Sequence, residues 1–340
     1  MHVSDKVRKT VVFVGVAHET GFEPYGTAFI MVNKVGEHAY QTIVTAKHVI
    51  QTIKAHGKKF VHLRVNTWSD GPRIMTSPIE EWLDHPDSRI DVSVCPSIIS
   101  REQFDILHLP TDGATLLNEE TINEKNIGIG DEVYVAGMFI QRIGEAKNIP
   151  IVRLGTIAAM PEEKIETVYG FHDAYLIELR SLGGLSGSPV FVQVPPISHV
   201  EGKVKLASGQ VEYLMGMLLG HSNLQDQRDA IEIKNPNKKK EDDPDSVIAQ
   251  VPLNTGIAIV LPISDVIEAI MQPAIQQRRE TRLKIKSSKS SFVPDVAVSL
   301  KPDIRAEVSS SPPSNGENPT HLEDFKTLLK AASKTPPQDG

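Results

Sequence analysis

The sequence predicts an all-β protein: two packed six-stranded antiparallel barrels, a short C-terminal helix and a disordered tail. Three observations carry this expectation. Short runs rich in Val, Ile, Thr and aromatic residues recur from residue 10 to about residue 261, many bounded by Gly, Pro, Asn or Asp, and no helices alternate with them. About a dozen such runs are too many for one small barrel and suit two. A polar, loop-like passage over residues 98–130 interrupts the series and divides it into halves.

Taken in order, the first half, residues 8–115, offers Thr10–Val16, Thr27–Val32, Gln41–Thr45, Phe60–Val65 and Asp91–Cys95. The second half, 126–272, offers Glu132–Met138, Ile149–Ile157, Ala174–Leu179, Pro189–Val194, Tyr213–Leu219 and Gly256–Leu261. Pro262–Met271 then changes period. Ser264 or Asp265 can cap a helix there, and Val266, Ile267, Ile270 and Met271 share one helical face, which predicts a short helix docked on the second barrel. Residues 222–255 contain KNPNKKKEDDPD, mixed charge too polar to bury, and read as a disordered loop. Residues 273–340 read as a disordered tail, Ser- and Pro-rich in part. Inside it, 320–333 (THLEDFKTLLKAAS) has capping-box spacing at Thr320 and Glu323 and an apolar stripe of Leu322, Phe325, Leu328 and Leu329. That segment is either a helix that docks on a protein partner or a marginal helix with none.

The 340 residues carry a net charge of −7, which is not the basic footprint of a nucleic-acid binder, and no nucleic-acid partner is expected. Arg278–Lys289 is basic but lacks interleaved aromatic residues for base stacking, so a solvated linker is the expectation. The single cysteine, Cys95, cannot form an internal disulfide and reads as a small buried hydrophobe in a strand. No apolar segment is long enough to span a membrane, and Val11–Ala17 is too short and too β-branched for a signal peptide, so a cytoplasmic location is expected. His56, His62 and His85 form no zinc-ligand pattern and read as scattered surface histidines; no metal and no organic cofactor are expected.

Three stretches carry candidate chemistry. In GGLSGSPVF (183–191) Ser186 lies among glycines that can aim backbone N–H groups inward, followed directly by a strand. A serine hydroxyl needs a base within hydrogen-bond reach, and the base needs an orienting group. The candidate base is His48 in TAKHVI, at the end of the β-run QTIVT. The candidate orienter is Asp91, a carboxylate opening the apolar run DVSVC, where burial would oblige it to find a donor. Asp84 and Asp87 are rivals in a loop where solvated carboxylates are ordinary. Each of the three residues alone reads as a turn, cap or strand-end residue; together they read as a proton-relay triad.

GTAFIMV followed by IVTAKHVI, then DVSV, then GGLSGSPVF resembles the trypsin-like serine peptidases of the chymotrypsin fold, in the disulfide-poor HtrA-like branch. GIGDEVYVAG (128–137), YLMGMLLG (213–220) and GIAIVLPISDVI (256–267) resemble that family's second-barrel opening strand, pocket strand and closing strand with helix, so the resemblance covers roughly residues 8–272. It implies a serine endopeptidase acting on polypeptide, with His48, Asp91 and Ser186 as the triad and the amides of Gly184 and Ser186 as the oxyanion hole. It also implies a substrate pocket between Arg180, Ser181 and Leu182 on one wall and Leu219, Gly220 and His221 on the other. Arg180 reads equally as a receptor for an acidic side chain or as an ordinary outward arginine, and His221 is as ambiguous. Activity should rise with pH as the imidazole loses its proton.

The sequence departs from the family in Leu185, where an Asp or Asn more often braces the oxyanion loop, in Ser188, which replaces a common glycine, and in the lack of a PDZ-like domain after the second barrel. Leu185 keeps a second reading open, a catalytically silent protease-fold scaffold or protein-binding module. A third is a regulated or self-processing protease whose polar loop or tail is cut.

Overall fold

A computed structural model describes residues 3–35, 38–97, 99–113, 115–167, 170–179, 184–194, 197–200, 203–206, 211–223 and 254–279. All lie in one compact unit, Met1–Ser299. The segment 320–333 and the charged stretch of the 222–255 loop lie outside the described residues.

The chain opens with helix α1 (Asp5–Arg8) and strands β1 (Val11–His18), β2 (Gly21–Val35) and β3 (His38–Ala46), then helix α2 (Lys47–Ala55). Strands β4 (Phe60–Asn66), β5 (Pro72–Pro78), β6 (Leu83–Asp84), β7 (Val92–Ser97) and β8 (Leu109–Pro110) complete the first half, and helix α3 (Glu119–Lys125) lies in the passage between halves. The second half comprises β9 (Glu132–Met138), β10 (Pro150–Ala159), β11 (Lys164–Thr167), β12 (Gly170–Asp173), β13 (Tyr175–Glu178), β14 (Pro189–Val194), β15 (Ile197–Val200), β16 (Lys203–Leu206), β17 (Val211–Asn223), β18 (Asn254–Pro262) and helix α4 (Ile263–Met271).

The second half closes into a six-stranded barrel in the order β10-β13-β18-β17-β14-β9, entirely antiparallel. The first half is an eight-stranded sheet, β5-β4-β1-β2-β3-β7-β6, with β8 pairing β2 in parallel. It differs from the expected six-stranded barrel in strand number and in being open among the described residues. The edge strand β6 is only two residues long and pairs β7 alone. One closed barrel and one half-barrel sheet together are consistent with the expected chymotrypsin-like double-barrel fold.

Side-chain alternation explains how the halves join. Along β9, Val133 and Val135 point into the closed barrel with Val190, Val192, Ala258 and Val260. Tyr134, Ala136 and Met138 point the other way, into a second apolar cluster shared with Phe13, Phe29 and Ile30 of the first sheet. Both faces of β9 and β14 are therefore buried, which is why their sequences read as continuous apolar runs. Tyr134 and Phe191, register partners on β9 and β14, stack side by side on this seam with ring centroids 5.0 Å apart.

Helix α4 corrects three details of the expectation. It begins at Ile263 after Pro262, so Ser264 and Asp265 lie inside its first turn, and no side chain caps it. Its buried face is Ile263, Val266, Ala269 and Ile270, while Met271 is exposed. It packs on β17 and β18 and also on β7 of the first sheet, so it ties the halves together. Order also runs past residue 272: residues 273–279 are helical, Ile275 is buried, and Arg279 donates to Thr42 Oγ1 at 2.6 Å.

Candidate active site

His48 does not end a strand. Strand β3 stops at Ala46, and His48 is the second residue of α2, whose apolar face is Val49, Ile50 and Ile53. The N-cap residue Ala46 has no side chain to satisfy the first-turn amides. Asp91 fills that role from another segment: its Oδ1 accepts from the His48 amide at 2.8 Å. Its Oδ2 meets His48 Nδ1 at 2.6 Å. The carboxylate is 1% exposed and the imidazole 19%. With Nδ1–H donated to Asp91, the ring's lone pair is on Nε2.

The rival aspartates go elsewhere. Asp84 pairs with Ser93 across β6 and β7 and is exposed. Asp87 is gripped by Arg89 at 2.6 Å, which holds its carboxyl well below the ordinary carboxylate range. His85, read as a surface histidine, is buried; its Nδ1 accepts from the Asp87 amide at 3.0 Å and so shapes the turn leading to Asp91.

Lys47 is a residue that sequence reasoning missed. Its amide donates to Asp91 O at 3.2 Å. Its Nζ reaches Ser88 O at 2.5 Å and Ile90 O at 3.0 Å, so a buried ammonium clasps the backbone that presents Asp91. A lysine beside a histidine gives no hint of this in sequence, because lysine normally points to water.

Ser186 reaches the same edge through its backbone. Thr27 N donates to Ser186 O at 3.0 Å, and Thr27 Oγ1 donates to Gly184 O at 3.0 Å. The same hydroxyl accepts from Met138 N at 2.9 Å, and Thr27 O accepts from Thr45 Oγ1 at 2.7 Å. Thr27 is thus the joint between the strand that leads to His48 and the loop that carries Ser186. Thr27 lies in the GTAFIMV stretch, where a threonine in a β-run carries no local sign of this role.

The loop fits closely. A Cβ on Gly26 would lie 3.2 Å from Ser186 O, and one on Gly187 would lie 3.1 Å from Ala46 N and 2.5 Å from Thr45 Oγ1. Gly187 also has φ +83, so glycine is required there twice over. Ser188 N donates to Leu185 O at 3.0 Å, which turns the Leu185–Ser186 peptide so that the Ser186 N–H faces the opposite way. Gly184 holds φ +92 with Ile140 against its Cα, leaving no room for a side chain. Leu185 is 1% exposed within the closed-barrel core, so apolar burial anchors the loop beside Ser186.

Of the expected pocket walls, Arg180, Ser181 and Leu182 lie outside the described residues. Leu219 is buried in the shared core. Gly220 follows on β17, where a Cβ would stand 3.9 Å from Ser186 Oγ, and His221 continues the strand. Among the described residues, no cluster of His, Cys, Asp and Glu could hold a metal ion, and no helix is long and apolar enough to cross a membrane.

No family model matches the chain, and no curated protein matches it. Among solved structures it is similar to the MamO protease domain from Magnetospirillum magneticum in its apo form, at 13% identity and a TM-score of 0.44, covering 79% of this chain and 99% of that one. It is similar to the inactive form of the Rv3671c protease, at 14% identity and a TM-score of 0.39, over 78% of this chain and 88% of that one. It is also similar to Deg5, at 17% identity and a TM-score of 0.37, over 63% of this chain and 80% of that one.

Proposed function

We propose that this chain is a serine endopeptidase. Ser186 Oγ attacks the peptide carbonyl while His48 Nε2 takes its proton, and the same nitrogen later protonates the leaving amine. Asp91 holds the imidazole in the tautomer this needs and stabilises its charged form. The amides of Gly184 and Ser186 receive the oxyanion. The observation that carries the reading is the Asp91 carboxylate, buried and divided between the His48 amide and the His48 ring. A buried carboxylate that merely capped a helix would not need its second oxygen on an imidazole.

Leu185 keeps the silent-scaffold reading open because it leaves the loop without a polar brace; its packing supplies an apolar one. Its burial anchors the loop beside Ser186, and the Gly184 φ is one that glycine alone adopts without strain. The chemistry described uses only side chains and backbone of this chain, so chelators are expected to leave it unchanged.

The reading is tested by incubating the full chain with an unfolded polypeptide and mapping the cuts by mass spectrometry. New termini with wild type and none with Ser186→Ala are expected. Intact substrate with both proteins would favour the scaffold. Fragments of the chain itself, from wild type only, would identify self-processing.

A further inference from the structure

The segment between β9 and β10, residues 139–149, is seated on the opposite half of the molecule. Its anchor is Arg64 of β4, 9% exposed. One guanidinium nitrogen donates to Ile143 O at 3.1 Å and to Asn148 Oδ1. The other donates to Gly144 O at 2.7 Å and Glu145 O at 3.3 Å. Asn148 Nδ2 returns a bond to Arg64 O, and Asn148 exchanges two bonds with Asn66, at 2.7 and 3.1 Å. Gly144 takes φ +79, the turn that directs these carbonyls to one point.

This is an unusual use of a buried cation. Among the described residues no carboxylate pairs with Arg64; its charge is met by backbone carbonyls and one side-chain amide. Lifting the segment would break the four guanidinium bonds and the three Asn148 bonds together, so it opens as one unit and not residue by residue. The planar fork of arginine also fixes direction as well as distance, which a lysine would not.

The other end of the segment reaches the candidate active site. Met138 N is held by Thr27 Oγ1, and the Ile140 side chain lies directly against Gly184. The segment therefore runs as a strut from the first sheet to the backbone assigned to the oxyanion.

We infer that Arg64 is a positioning residue: by seating 143–148 on the first sheet it sets Ile140 against Gly184 and keeps the oxyanion amides in register with His48. This rests on the endopeptidase reading for its kinetic consequence, though not for the mechanical coupling. Misplacement of a reacting group by about 1 Å costs on the order of a hundredfold in rate, so the effect belongs in kcat.

The test uses the full chain with Arg64→Met, Arg64→Lys and Ile140→Ala. Turnover of a cleaved peptide and amide exchange at Gly187 and Ser188 are both followed, and each variant is melted to confirm that it folds. Arg64→Met should lower kcat about tenfold to a hundredfold with KM nearly unchanged, and should speed exchange at Gly187 and Ser188. Arg64→Lys should recover part of both. Ile140→Ala should reproduce the loss while the Asn148 amide stays protected, because the clamp is intact. A folded Arg64→Met with wild-type kcat and wild-type protection of those amides would overturn the inference. If wild type itself turns nothing over, faster exchange at Gly187 and Ser188 in Arg64→Met still upholds the coupling and places the failure in the endopeptidase reading; equal exchange overturns the coupling too.

Discussion

At the scale of single residues, Asp91 does two jobs with two oxygens, and the jobs can be separated. Asp91→Asn can still accept from the His48 amide, so the start of α2 should survive and the melting temperature should stay close to wild type. Its NH2 would face Nδ1, however, and impose the wrong tautomer; on the general triad template this costs on the order of 10⁴ in turnover. Asp91→Ala should lose both, with about 1 kcal/mol of stability from the missing cap and more from the vacated buried site. Equal stability of the two variants would contradict the double role. Lys47→Met should act through the Ser88–Ile90 backbone, lowering turnover by loosening Asp91 while leaving the imidazole chemistry intact; kcat at saturating substrate checks it. His48, Asp91 and Ser186 are candidates from sequence because their three stretches occur together and in order; none of the three is distinctive alone. Lys47 and Thr27 are not candidates from sequence. Their importance comes from what long-range folding places beside them, and a lysine next to a histidine or a threonine in a strand is chemically unremarkable until then.

At the scale of elements, the strands were legible wherever burial on both faces produced long apolar runs; β9 and β14 fall on the residues expected of them. The polar hairpin β11–β12 and the edge strand β5 were not, because their residues alternate weakly and they pair at margins. Helix α2 was hidden since its first turn borrows its cap from Asp91 and no capping residue precedes it. Helix α4 carries a pH consequence. Burial first, then the charges of Asp173 and Glu268, push Asp265 up to about 6. The folded chain therefore holds a proton on Asp265 more tightly than the unfolded chain, whose carboxylate titrates near 4. The stability this gives is complete below about pH 4 and is lost as pH rises through about 6. Asp265→Asn should thus raise the melting temperature at pH 7.5 and leave it nearly unchanged at pH 3.5. A pH-independent difference, or a loss at pH 7.5, would contradict this account.

At the scale of the whole molecule, the candidate site belongs to neither half. The first half supplies His48 from α2 and Asp91 from the turn before β7, the second half supplies Ser186 and its loop, and Thr27 joins them through its amide, carbonyl and hydroxyl. Thr27→Val keeps the shape but strands Gly184 O and Met138 N in the interior. It should cost about 1–3 kcal/mol per unsatisfied group and reduce turnover beyond what the lost stability explains. Denaturant melts alongside kinetics separate the two effects. Fold class was legible at this scale from strand count and spacing, whereas the open form of the first sheet and the shared core between the halves depend on pairing that no local pattern encodes.

The central claim is that His48 activates the Ser186 hydroxyl, and it meets its most direct test in covalent labelling. The full chain is treated with a fluorophosphonate, and the modified peptide is sequenced by mass spectrometry for wild type, His48→Ala and Ser186→Ala. The account predicts a single adduct on Ser186 in wild type, strongly slowed in His48→Ala and absent from Ser186→Ala. Equal labelling of all three proteins, or a folded wild type that takes no label, would contradict it.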